Sequence, residues 1–150
     1  MEYIFKTKTP LETENIAKQL VLSGEIKKGD FIAFKGNLGA GKTVFARGLV
    51  KGIFEKYGGE DKTPLVTSPT FSIINIYECE IPVWHCDFYR ISSENELYMT
   101  GFYDVDAENS IIAAEWSENI PFAIPEKAIF VEISGNGNER TVIIRKGKEK

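Results

Sequence analysis

The octapeptide Gly36-Asn37-Leu38-Gly39-Ala40-Gly41-Lys42-Thr43 fits the pattern GxxxxGK[ST] at every fixed position. Its flanks constrain the fold as much as the motif does. The run "FIAFKG" that leads into it is short and apolar enough for a buried strand. Behind it Phe45, Leu49 and Ile53, with Ala46 and Val50 beside them, recur at helical spacing until Tyr57-Gly58-Gly59. A strand that turns through bare backbone into a helix places the chain in the α/β class, with an at least partly parallel sheet.

Bare backbone at this point suits phosphate. Gly39 and Gly41 let successive N–H groups turn toward one centre, and the helix start adds its partial positive charge. Lys42 is placed to bridge β- and γ-phosphates, and Thr43 can offer a hydroxyl to Mg²⁺, an ion that takes few protein ligands and keeps waters. A plain glycine-rich turn would explain the glycines but not the Lys-Thr pair.

Nucleotide hydrolysis also calls for an acid at the end of a buried strand. Asp87 after "VWHC" and Glu115 after "SIIAA" both qualify, and Glu115 follows the cleaner apolar run. Ser68-Pro69-Thr70-Phe71 ends a long polar stretch, "GGEDKTPLVTSPT", where Thr70 could sense a γ-phosphate or its metal; a proline strand entry with a threonine cap explains the segment equally well. An Asn/Thr-Lys-x-Asp guanine signature and an arginine-rich lid are both absent, which speaks against an ordinary GTPase and a small-molecule kinase. Arg47, on the helix after the loop, and Arg90 remain as candidate catalytic arginines.

The rest of the chain reads as one unit. Thr9-Pro10-Leu11-Glu12 has the form of a capping box, and Leu11, Ile16, Ala17, Leu20 and Val21 continue as an amphipathic helix to Ser23-Gly24. "FSIINIYE" and "VWHCDFY" form a candidate hairpin around Ile81-Pro82; residues 93–100 read as helix, and "SIIAAE" and "AIFVEI" as buried strands. "SGNGNER" turns into a last strand, "TVIIR", and residues 146–150 read as a frayed tail. The expected fold is a three-layer P-loop NTPase-like arrangement with a mostly parallel central sheet and antiparallel additions, in one domain spanning residues 1–150.

Composition narrows the partners. Eighteen basic and twenty-two acidic side chains give a net charge of −4, which argues against a broad nucleic-acid-binding surface. The apolar stretches fall well short of a bilayer span and no basic-then-apolar leader opens the chain, so a cytoplasmic protein without a membrane partner is expected. Cys79 and Cys86 match neither a zinc nor a disulfide spacing, and His85, the only histidine, has no second imidazole with which to share a metal.

"GNLGAGKT", "TSPTF", "HCDFYRI" and "AEWSENIP", in this order, together resemble the bacterial TsaE (YjeE) family over residues 9 to 135. The resemblance implies a small P-loop ATPase needed for N6-threonylcarbamoyladenosine at position 37 of tRNAs that read ANN codons. It implies docking on a TsaB–TsaD heterodimer, with tRNA held mainly by those partners. Its nucleotide contacts would fall on Thr9, near the start of the first helix, and on Asn37, Leu38, Gly39, Ala40, Gly41, Lys42, Thr43 and Val44. Thr43 and Glu115 would hold Mg²⁺; Lys42, Asp87 as a Walker-B-like acid, Glu115 and a switch-like Thr70 would be catalytic; Trp116 would form the "EW" pair with Glu115. Two other classes are compatible with the loop alone: a small-molecule kinase, and a nucleotide-gated interaction module that does not need hydrolysis.

Overall fold

The computed structural model describes residues 2–35, 41–58 and 73–146. Along them run β1 (Glu2–Thr7), α1 (Pro10–Leu22), β2 (Phe31–Lys35), α2 (Lys42–Tyr57), β3 (Ile74–Tyr77), β4 (Val83–Asp87), α3 (Glu94–Met99), β5 (Ile111–Glu115), β6 (Ile129–Ser134) and β7 (Arg140–Lys146). The strands form one seven-stranded sheet in the order β1-β7-β6-β2-β5-β4-β3. Its centre, β6-β2-β5-β4, is parallel. The additions at both edges are antiparallel: β3 on β4 and β7 on β6, as the hairpins predict, and β1 on β7, a pairing across the chain that no hairpin predicts.

Strand β2, which feeds the glycine loop, has parallel neighbours on both sides. The chain reaches β5 on one side first and β6 on the other later, so β2 lies at a switch in strand order. In open α/β sheets such a switch leaves a crevice beyond the carboxyl ends of the strands, which is where ligands enter.

One sheet face is covered by α1 and α2, whose Ala17, Leu20, Val21, Phe45, Leu49 and Ile53 pack on Ile32, Phe34, Ile111 and Val131. Phe34 and Phe45 meet edge to face at 5.7 Å. The other face is covered more thinly. There Phe31, Ala33, Cys86, Phe88, Ile112 and Ala114 pack against Leu97 of the short α3 and against the 3₁₀ turn that begins at Phe102.

The first helix departs from its sequence reading in two respects. The Thr9 hydroxyl caps it, accepting from the Glu12 N–H at 3.2 Å, but the Glu12 carboxylate accepts from the Lys8 N–H at 2.7 Å instead of closing back on Thr9. Leu11, expected on the apolar face, is exposed, while Thr13 and Glu14 are buried. The face turned to α2 is set by two glycines: a Cβ on Gly48 would lie 2.8 Å from Ala17 Cβ, and one on Gly52 would lie 2.7 Å from Val21 Cβ. The helices therefore run side by side in one direction, with their starts at the same end. Lys146, grouped with the tail on sequence grounds, is instead the last residue of β7, and its ammonium lies 2.8 Å from the Glu25 carboxylate. Residues 147–150 lie outside the described residues.

Candidate functional site

Alternation along a strand puts residues two apart on one face, so His85 and Asp87 of β4 point the same way. The parallel register sets Asp87 beside Glu115 and His85 beside Ala113. Val83, Ile111 and Ala113, on this same face, pack in the core with α1 and α2. Two strand-end carboxylates thus lie next to each other on the side of the sheet that carries the helix after the glycine loop.

Lys42 opens that helix and is buried, with its ammonium 5.7 Å from the centre of the Trp116 ring. Gly41 caps the helix at φ 128°, a backbone conformation that side chains disfavour. Thr43 and Val44 are half-buried in the first turn. Thr9 starts α1 at the same end of the molecule: a Cβ on Gly41 would lie 3.6 Å from Thr13 Cγ2. Asn37, Leu38, Gly39, Ala40 and Thr70 lie outside the described residues.

Glu115 is buried, and its Oε2 lies 2.7 Å from Nε2 of the fully buried His85. Asp87 is half-buried and accepts from the Tyr89 N–H at 3.0 Å. Burial holds its carboxyl above the usual carboxylate range; the Tyr89 N–H opposes that shift, the charge on Glu115 reinforces it, and Lys42 and His85 oppose it. His85 touches Glu115, Asp87 stands beside Glu115 in register, and Lys42 lies over the ring of Trp116, the next residue, so the four groups gather at the same strand ends.

The turns after the two carboxylates are fastened to each other. Phe88 N–H donates to the Glu115 carbonyl at 3.0 Å, and the Asn119 side-chain amide donates to the Phe88 and Tyr89 carbonyls at 2.9 and 3.1 Å. Tyr89 packs on Trp116 with ring centres 4.8 Å apart. Trp116 has φ 58°, the one positive value at a non-glycine among the described residues, and such conformations persist where surrounding contacts over-determine them. Sequence reasoning misses Asn119, for a lone asparagine in a turn carries no periodic signal. It reads His85 only as a structural or supporting residue, although two-residue alternation already puts that ring on the Asp87 face.

Of the two candidate arginines, Arg90 is exposed on the turn after Asp87, while Arg47 is directed toward α1, its Nε 3.8 Å from buried Glu14. Lys51 completes that pairing at 2.9 Å.

Among the described residues no three His, Cys, Asp or Glu side chains converge as a metal cage. The Thr43 hydroxyl and the Glu115 carboxylate are hard oxygen donors of the kind that fits Mg²⁺, which is commonly bound through one or two carboxylates while phosphates and water complete its shell. No described helix is long and apolar enough to cross a membrane.

A family model described as "Threonylcarbamoyl adenosine biosynthesis protein TsaE" matches residues 7–142. Proteins named tRNA threonylcarbamoyladenosine biosynthesis protein TsaE are similar along most of the chain. The one from Rickettsia typhi is 34% identical over 137 residues, covering 90% of this chain and 89% of its own. The one from Bacillus subtilis is 31% identical over 140 residues, covering 93% and 82%. The crystal structure of Bacillus subtilis YdiB aligns with a TM-score of 0.69 at 25% identity, covering 99% of this chain and 87% of that one.

Proposed function

The chain belongs to the TsaE family, and from that premise we propose that it is an ATP-binding, ATP-hydrolysing and Mg²⁺-dependent component of tRNA threonylcarbamoyladenosine biosynthesis. It works in the cytoplasm with TsaB and TsaD counterparts, docking on their heterodimer, to form N6-threonylcarbamoyladenosine at position 37 of tRNAs that read ANN codons. The observation that carries this reading is the placement of Lys42, at the start of α2, over the ring of Trp116, the residue that follows Glu115, while Glu115 stands beside Asp87 in the β4–β5 register.

The roles follow from the chemistry of the side chains. Backbone N–H groups from Asn37 to Val44 cradle the phosphates, and Lys42 neutralises their β and γ oxygens. Thr43 and Glu115 hold Mg²⁺, which when bound supplies charge neutralisation to the phosphate oxygens. Asp87 orients the attacking water. Thr70 reports the γ-phosphate to the surface, and Thr9 borders the nucleotide from the start of α1. With a net charge of −4, the chain leaves tRNA to its partners.

The test is reconstitution with TsaB and TsaD counterparts, the adenylate-forming enzyme, threonine, bicarbonate, ATP and unmodified tRNA. Multiple-turnover modification should require this chain and should fail with Lys42→Ala. Full modification without the chain, or with Lys42→Ala, rules the assignment out.

A further inference from the structure

Buried beneath the two carboxylates is a side chain that the proposed chemistry does not use. His85 is 0% exposed, and its Nε2 lies 2.7 Å from Glu115 Oε2. An ionised carboxylate only accepts, so this contact is a hydrogen bond when Nε2 carries the proton. The other ring nitrogen, Nδ1, is buried and has no hydrogen-bond partner among the described residues. A ring kept only to satisfy its own polar atoms would be expected to pair both nitrogens. Among the described residues one nitrogen thus has no partner while the other holds a single carboxylate oxygen. The register explains how the ring reaches that oxygen: His85 stands beside Ala113, whose methyl group leaves room for the imidazole to lean forward to the next residue on that face, Glu115.

We propose that His85 is the positioning residue for Glu115, fixing Oε2 through Nε2–H so that Oε1 is presented to the metal. No described residue donates to Oε1. The inference rests on the proposed role of Glu115 as a Mg²⁺ ligand, and it adds the group that sets that ligand's rotamer. Outer partners of metal-binding carboxylates typically contribute about 10–100-fold to metal affinity.

The test measures Mn²⁺ binding by electron paramagnetic resonance in the presence of a non-hydrolysable ATP analogue, for the full chain and for His85→Leu and His85→Gln. The leucine removes the donor and keeps the bulk; the glutamine amide can stand in for Nε2–H. The expected result is roughly a 10–100-fold loss of Mn²⁺ affinity for His85→Leu and recovery of most of it in His85→Gln, with metal-free nucleotide affinity unchanged in both. If His85→Leu does not fold, His85→Asn replaces it, since its shorter amide cannot reach Glu115. Wild-type affinity in the leucine or asparagine variant, or equal losses in the glutamine variant, overturns the positioning role. Absence of nucleotide-dependent Mn²⁺ binding in the wild-type chain overturns the Mg²⁺-dependent reading itself.

Discussion

Gly48 of α2 lies directly under the backbone carbonyl of Glu14 in α1, with no space for a Cβ between them. Glycine inside a helix costs about 1 kcal/mol relative to alanine, so its presence here reflects the approach of two helix backbones. The close approach also has an electrostatic result: it buries the Glu14 carboxylate against Lys51 at 2.9 Å and Arg47 at 3.8 Å. Arg47 is therefore engaged in holding the helices together. The start of α2, where Lys42 sits, is thereby fixed relative to the start of α1.

Gly48→Ala is expected to destabilise the protein. The added methyl meets backbone, which cannot swing aside, so overpacking of about 1–3 kcal/mol outweighs the helix-propensity gain of about 1 kcal/mol. A net loss on the order of 1 kcal/mol lowers the melting temperature by roughly 2–4 °C in a chain of this size. Urea unfolding and calorimetry measure it; a variant as stable as wild type would show that the helices can separate without penalty.

The two cysteines should differ sharply in reactivity. Burial pushes the Cys86 thiol far up, and the nearby Asp87 charge adds to this, so its thiolate is disfavoured throughout the accessible pH range. Because the shift is upward, raising the pH from 7 to about 9 activates an ordinary thiol of pKa about 8.5 and leaves Cys86 protonated. Cys79 is half-buried in the turn between β3 and β4. Titration of the native protein with an aromatic disulfide reagent at pH 8–9 should modify Cys79 alone, and Cys86 only after denaturation. Two fast equivalents in the native state would contradict the burial of Cys86.

The capping of α1 can be tested in the same way. Thr9→Ala removes the oxygen that accepts from Glu12 N–H, a loss of about 1 kcal/mol. Thr9→Ser keeps that oxygen and should restore most of the stability in urea. If Thr9→Ala were neutral, the Glu12 contact to Lys8 would be holding the helix start unaided.

How much of this is legible in the sequence depends on the range of the interaction. The β2–loop–α2 unit can be read because its signals are local: an apolar run, glycines, and then a period of 3.6. Asp87 and Glu115 stand out as strand-end acids for the same reason. Their adjacency is not legible, since it depends on the β4–β5 register, which tertiary pairing sets. Strand β1 is visible only as a short apolar start, because Ile4 is exposed and its partner strand lies at the far end of the chain. Leu11 is misplaced because helical spacing identifies an apolar stripe but not where the neighbouring helix begins to cover it. Fold class survives such errors; the connections within the site do not.

Asn119 provides the sharpest test of those connections. Its amide bonds two carbonyls on the turn that follows Asp87, and Trp116, three residues before it, packs on Tyr89 of that turn. Asn119→Ala leaves the Phe88 and Tyr89 carbonyls without this donor, a loss of about 1–2 kcal/mol. Since Asp87 stands at the base of the turn, the proposed ATP hydrolysis should fall in kcat while KM for ATP changes little, because Lys42 and Thr43 at the start of α2 are untouched. Tyr89→Ala removes the aromatic contact, worth about 0.5–1.5 kcal/mol. The two contacts close one structure from both sides, so the double variant should lose less stability than the sum of the single losses, with a coupling of at least about 0.5 kcal/mol. Strict additivity together with an unchanged kcat would mean that the two turns act independently, and that the position of Asp87 is set by the β4–β5 pairing alone.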